Sequence, residues 1–408
     1  MTSPPLRSAA ASATQRSAIV GAIFLMATSA IGPGFLTQTA KFTGQLGAAF
    51  AFAIVASILI DIAVQMNVWR VIGVSGLRAQ ELGNKVIPGL GWLLAALIAI
   101  GGVVFNIGNI AGAGLGLDAL LGVDVKVGGA VTAVLAIAIF LFQRLGGALD
   151  RFLALLGIIM LVLTLYVAIV SNPPVGLALK NSVLPDRVDF VTITTLVGGT
   201  VGGYITYAGA HRMLDSGVNG PDDVAQVSKS SVTGILLTGV MRVLLFLAVL
   251  GVVATGVDVV GAKNPAAMAF ESAAGEIGLR IFGMVLWAAA LSSIIGASYT
   301  SATFLVPNKP ESKRIQNWIT VIFILISSGL FIAMGTAPAT LMIFAGAFNG
   351  LVLPIGFTMI IFVAAFRQHD LLHGYRYPRW MIAMGIVGVV VAWWLAWVSF
   401  GGVFALIK

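Results

Sequence analysis

Apolar stretches of roughly 20 residues recur from one end of this chain to the other, each long enough to cross a hydrocarbon core of about 30 Å. That repetition leaves one class of fold, because backbone at membrane depth has no water to bond and must close its hydrogen bonds within helices or a closed barrel. With 59% hydrophobic and 9% charged residues among 408, and a mean hydropathy of +1.03, a water-soluble fold is excluded. The expectation is an all-α integral membrane protein of about eleven transmembrane helices. Their approximate spans are 18–43, 46–69, 90–117, 127–142, 152–170, 191–211, 232–256, 281–305, 317–335, 341–366 and 380–406. Residues 1–17 read as a polar, disordered cytoplasmic tail, and 18–408 as a single transmembrane domain: repeat one 18–170, repeat two 191–366 and an extra helix 380–406.

The absence of cysteine excludes disulfides and thiolate metal sites. An isoelectric point near 9.9 would suggest a nucleic-acid partner in a soluble protein; here the basic excess sits in short loops, as membrane insertion produces. With the N-terminus placed in the cytoplasm, 15 Lys and Arg fall inside and 7 outside, with Arg242 left within a span. The expected location is therefore the cell membrane, multi-pass, with the C-terminus outside and the lipid bilayer and a small-molecule substrate as partners. No nucleic-acid partner is expected.

Two spans carry interruptions near mid-membrane: Ile31-Gly32-Pro33-Gly34-Phe35 in the first and Gly198-Gly199-Thr200-Val201-Gly202-Gly203 in the sixth. Each opens a set of five helices. Five is odd, so a duplicated five-helix unit enters the membrane from opposite sides, giving a 5+5 inverted repeat with broken helices 1 and 6. Exposed backbone is tolerated at that depth only where it is buried in protein or lines a cavity, so the breaks are expected to face each other around a solute. Glycine is also a common packing residue between membrane helices; position in the repeat, and not glycine alone, favours the paired break.

These motifs resemble those of the NRAMP-type transporters and their LeuT-like fold. Members usually carry Asp-Pro-Gly-Asn in the first helix and a Gly-Ala-Thr-Val-Met-Pro-His-Asn-like run in the sixth. This chain has Gly32-Pro33-Gly34-Phe35, with Gly47 and Gln65 at the family's distances downstream, and Gly198-Gly199-Thr200-Val201-Gly202-Gly203-Tyr204-Ile205. The resemblance implies secondary active transport, with no catalytic residues. The departures change the implied cargo. Gly32, Phe35 and Gly202 stand where the family places its metal-binding aspartate, asparagine and methionine, and a divalent ion at mid-membrane needs donor atoms and an anionic group. Asn106 and Asn109 stand where the third helix normally carries a proton-conducting Asp and Glu, and an amide does not titrate.

Without the aspartate the site is roomier and less negative, and half-helix N-termini suit a carboxylate. The expected solute is an amino acid or related small carboxylate, ion-coupled; the rival is a divalent metal cation held by a non-standard site. The expected substrate-binding set is Gly32, Pro33, Gly34, Phe35, Thr37, Gln38, Gly199, Thr200, Gly202, Gly203, Tyr204 and Asn349, with no metal site and no cofactor beyond a coupling ion, Na⁺ or H⁺. Superfamily members that use sodium pair hydroxyls of the eighth helix with carbonyls of the first, and Ser292 with Ser293 resembles that pair. Asp61 and Arg242 lie inside apolar spans, where an isolated charge is expensive, and are expected to pair or to gate. His211, His369 and His373 form no zinc motif, and no P-loop is present.

Overall fold

The computed structural model describes Ile23, Ala27 and residues 29–141, 146–307, 309–334 and 338–406; the tail expected at 1–17 lies outside them. Among the described residues every regular element is a helix. In chain order these are α1 (Pro33–Leu46), α2 (Phe50–Ser75), α3 (Ala79–Val86), α4 (Leu90–Leu121), α5 (Val125–Leu141), α6 (Gly146–Val170), α7 (Val175–Val183) and α8 (Phe190–Thr200). Then follow α9 (Ile205–Asp215), α10 (Val224–Ala254), α11 (Pro265–Thr303), α12 (Lys313–Ala333), α13 (Pro338–Phe366) and α14 (Arg379–Ala405).

Seven helical segments among the described residues are long and apolar enough to cross a membrane by length and composition, or eight counting one bent pair. That figure is smaller than eleven for physical reasons. A single 3-10 turn, Gly47–Ala49, joins α1 to α2 into one 43-residue segment; α5 has 17 residues; and the sixth span is divided into α8 and α9, of 11 residues each. Among the described residues, helices fall within each of the eleven expected spans. Two features were not expected: α7, which turns back by 107° from the end of α6, and the break at Gly275 (φ 64°), which separates a short leading helix from the spanning part of α11. The fold is the LeuT-like inverted repeat, with α1 and α8–α9 as its broken openers.

Helix packing here has no hydrophobic drive, since lipid is as apolar as leucine; close van der Waals approach must replace it. α4 achieves this with a glycine stripe. A Cβ on Gly112 would lie 2.2 Å from Pro33 Cβ, and one on Gly116 would lie 2.5 Å from the Trp287 backbone nitrogen, so α4 packs its backbone against the proline ring of α1 and against the backbone of α11. On the outside, Trp380 and Trp397 are 60% and 84% exposed, as expected of residues that face lipid or its interface. Asp61 of α2 and Arg242 of α10 do pair: Oδ2 accepts from the guanidinium at 2.7 Å with both side chains buried, and Ser57 Oγ takes a second guanidinium hydrogen at 3.3 Å. The pair joins the second helix of one repeat to the second helix of the other.

Candidate functional site

The first break is narrower than its motif. Only Ile31 and Gly32 leave the helix, Gly32 being extended (φ −73°, ψ 179°), while Pro33 occupies the first turn of α1, where its missing N–H is no loss. Gly34 and Phe35 are thus helical and buried, a correction to the expectation that their backbone is unwound. The second break is Val201 to Tyr204, with Gly203 in the left-handed region at φ 56°. Gly199 is corrected likewise: it lies within α8, and the reason for a glycine there is space. Its Cβ would stand 2.5 Å from Gln38 Oε1, and that of Gly198 would stand 1.9 Å from the Gly346 carbonyl.

Gln38 links the two openers. Its Nε2 donates to the Met342 carbonyl on α13 at 3.1 Å, while its Oε1 lies against Gly199 with no hydrogen-bond partner among the described residues. Thr37 Oγ1 rests 3.7 Å from Met342 Sδ. Asn349 donates from Nδ2 to Ala345 and Gly101 carbonyls, at 2.8 and 3.2 Å, and turns its unpartnered Oδ1 toward Gly203. Gly202 packs its α-carbon side against Gly198 and the Asn349 carbonyl. Tyr204, fully buried, stacks edge-on against Phe105 at 5.4 Å; its hydroxyl faces Ser29 and Asn109, yet no hydrogen bond of ordinary geometry closes among the three. Asn109 has neither amide atom satisfied, although Asn106 on the same helix donates to Ser298 Oγ at 3.0 Å.

A buried polar group without a partner costs about 1–3 kcal/mol. Several therefore converge at the breaks: Ser29, Gln38, Asn109, Tyr204 and Asn349. None is a carboxylate, and among the described residues no three His, Cys, Asp or Glu side chains gather as a metal group. Ser29, Asn109 and Met342 were not in the expected binding set; Asn109 was marked only by its place where the family carries a proton-conducting acid, and Met342 gave no signal.

Two expected residues turn elsewhere. Thr200 Oγ1 bonds the Leu196 carbonyl of its own helix at 2.8 Å, as threonine in membrane helices commonly does. Ser292 Oγ bonds the Ala289 carbonyl and faces an apolar cavity of about 310 Å³ that runs alongside Ile31 and Leu36. Ser293 instead faces the first break, its Oγ lying 3.0 Å from the position of a Cβ on Gly32.

Paired broken helices at the openings of an inverted repeat, with polar groups collected between them, define a membrane transporter. The chain belongs to the natural resistance-associated macrophage protein-like family, Nramp, whose pattern matches residues 23–400. It is 49% identical to the uncharacterized membrane protein YcsG of Bacillus subtilis (strain 168) over 375 residues, covering 92% of both chains. An uncharacterized membrane protein of Haemophilus influenzae is 50% identical over 377 residues, covering 92% of this chain and 94% of that one. In fold the chain is similar to a manganese transporter of Eremococcus coleocola (TM-score 0.76, 17% identity, 98% of this chain and 89% of that one). It is also similar to MhsT in complex with L-phenylalanine (TM-score 0.66, 17% identity, 95% and 98%). At such identities these two show the fold alone.

Proposed function

We propose that this protein is an ion-coupled secondary transporter of an amino acid or related small carboxylate, held between the first and sixth helix breaks. It would work in the cell membrane with its N-terminus in the cytoplasm and its C-terminus outside. The observation that carries the reading is the chemistry of the breaks: uncharged amides and hydroxyls with spare hydrogen-bonding capacity, no carboxylate among the described residues there, and the N-termini of α1 and α9 starting at the two breaks. Half-helix N-termini attract anions. Asn109 and Tyr204 supply donors for the carboxylate, while Gln38 Oε1 and Asn349 Oδ1 supply acceptors that fix the orientation of the solute's own donors. The coupling ion is Na⁺ or H⁺; Ser293 beside Gly32 supports a sodium position, with Ser292 contributing no ligand.

A second reading, carriage of a divalent metal cation, draws on one specific observation besides the manganese transporter's likeness. The Met342 thioether, a soft ligand, lies beside Thr37 at the first break. A thermal-stability screen of the purified protein separates the two. A ligand at 100 times its Kd stabilises the native state by about 2.7 kcal/mol. The expected outcome is a rise in melting temperature with an amino acid or oxo acid and none with Mn²⁺ or Mg²⁺. A rise with the metals alone would replace the first reading with the second.

A further inference from the structure

A second polar cavity, of about 300 Å³, lies far along the chain's own architecture from the breaks, at the end expected to be cytoplasmic, where α9, α11, α12 and the turn before α3 meet. Its floor is rigid. Arg78, 2% exposed, donates to the carbonyls of Thr303 and Val306 at 3.1 and 3.0 Å and pairs with Asp215 Oδ1 at 2.7 Å, while the Tyr299 hydroxyl takes Asp215 Oδ2. Behind it, His211 is held between the Ala79 N–H (3.2 Å) and Thr303 Oγ1 (2.8 Å). Both oxygens of the one carboxylate lining the cavity are therefore used.

Three more cations line the same cavity, Arg212, Lys309 and Lys313, and none has an ion pair or side-chain hydrogen bond among the described residues. Two further observations point inward. The side-chain amide of Gln316, a residue only 6% exposed, borders the cavity and makes no hydrogen bond among the described residues. The 21-residue helix α12 starts at Lys313 with no side chain capping its first amides. Positive loop charges are ordinary on a cytoplasmic face, but there they stand separately in solvent. Here three like charges, each exposed to solvent, line one concave pocket in which the one carboxylate among the described residues is already paired, so the pocket carries a local positive excess that an anion would offset.

We propose that this pocket is an oxyanion site for a phosphate group. A tetrahedral dianion offers acceptors to the Arg212 fork and to the two lysine ammoniums together, and the positive end of the α12 dipole at Lys313 favours it further. The same chemistry is presented by a soluble phosphate and by the headgroup of an anionic lipid of the inner leaflet. The proposal is independent of the transported solute.

The test uses the full chain, purified. Binding of inorganic phosphate in detergent is followed by calorimetry at constant ionic strength, and retention of phosphatidic acid from nanodiscs is followed by native mass spectrometry. Saturable binding of phosphate is expected if the ligand is soluble, and stoichiometric retention of phosphatidic acid without it if the ligand is a headgroup; either supports the site. Lys309→Gln with Lys313→Gln is expected to weaken the bound probe at least ten-fold. Arg212→Gln serves as the single-site check should the double variant prove poorly folded. The proposal is overturned if neither probe binds saturably, or if a folded variant binds as the unaltered protein does.

Discussion

Gly203→Leu is expected to abolish transport by disrupting the sixth-span break, with a fall in folded yield and not only a filled site. The backbone at Gly203 has φ 56°, a region that a β-carbon penalises by about 1–2 kcal/mol. The new Cβ would lie 1.9 Å from Asn349 Oδ1 and 2.6 Å from its Cγ. Asn349 is not free to yield, because its Nδ2 is anchored to the carbonyls of Ala345 and Gly101 and the residue is fully buried. Overpacking of this kind adds roughly 1–3 kcal/mol. The leucine would therefore meet a fixed side chain and not open space. Size-exclusion profile and melting temperature are the readouts, and a monodisperse variant that melts with the unaltered protein would contradict the geometry.

Asp61→Asn is expected to be the most destabilising single change away from the breaks. It retains shape but removes the charge that matches Arg242, leaving a guanidinium buried between α2 and α10 with only Ser57 and the new amide to face. Breaking a buried ion pair from one side costs about 3–5 kcal/mol, whereas replacing both partners with apolar groups is often neutral. Asp61→Leu combined with Arg242→Met is therefore expected to recover most of the loss. Because the pair ties equivalent helices of the two repeats, the double variant also asks whether the tie serves movement: recovered stability with slowed uptake would assign it to gating. Unfolding of the purified variants gives the comparison, and Asp61→Asn matching the unaltered protein in stability would show that the pair contributes nothing.

Features set by local pattern were legible in the sequence. Span positions follow from apolar length, and the two breaks follow from glycine and proline placed at corresponding points of a five-helix unit. The Asp61 to Arg242 pairing was legible too, since two lone charges in apolar spans leave few alternatives. Functions of individual glycines were not: Gly199 and Gly203 look alike in sequence, but one clears room for Gln38 within a helix and the other turns the chain. Nor does spacing show which hydroxyl of an adjacent pair faces inward, because neighbours on a helix point about 100° apart; Ser293 meets Gly32, and Ser292 does not. The gathering of Ser29, Asn109 and Tyr204 depends on three helices meeting at one depth, and nothing local encodes it.

That last cluster gives the account its most direct test, uptake of labelled amino acids and small carboxylates into proteoliposomes under an imposed ion gradient, compared between the unaltered protein and Tyr204→Phe. Removing one hydroxyl leaves the ring against Phe105 and the fold intact, while the loss of a hydrogen bond worth about 1–3 kcal/mol in a buried site weakens the solute roughly 10- to 100-fold. The account predicts gradient-driven accumulation of a carboxylate solute by the unaltered protein and a KM raised by that factor in the folded variant. Accumulation of Mn²⁺ with no carboxylate uptake, or a Tyr204→Phe variant with an unchanged KM, would contradict it.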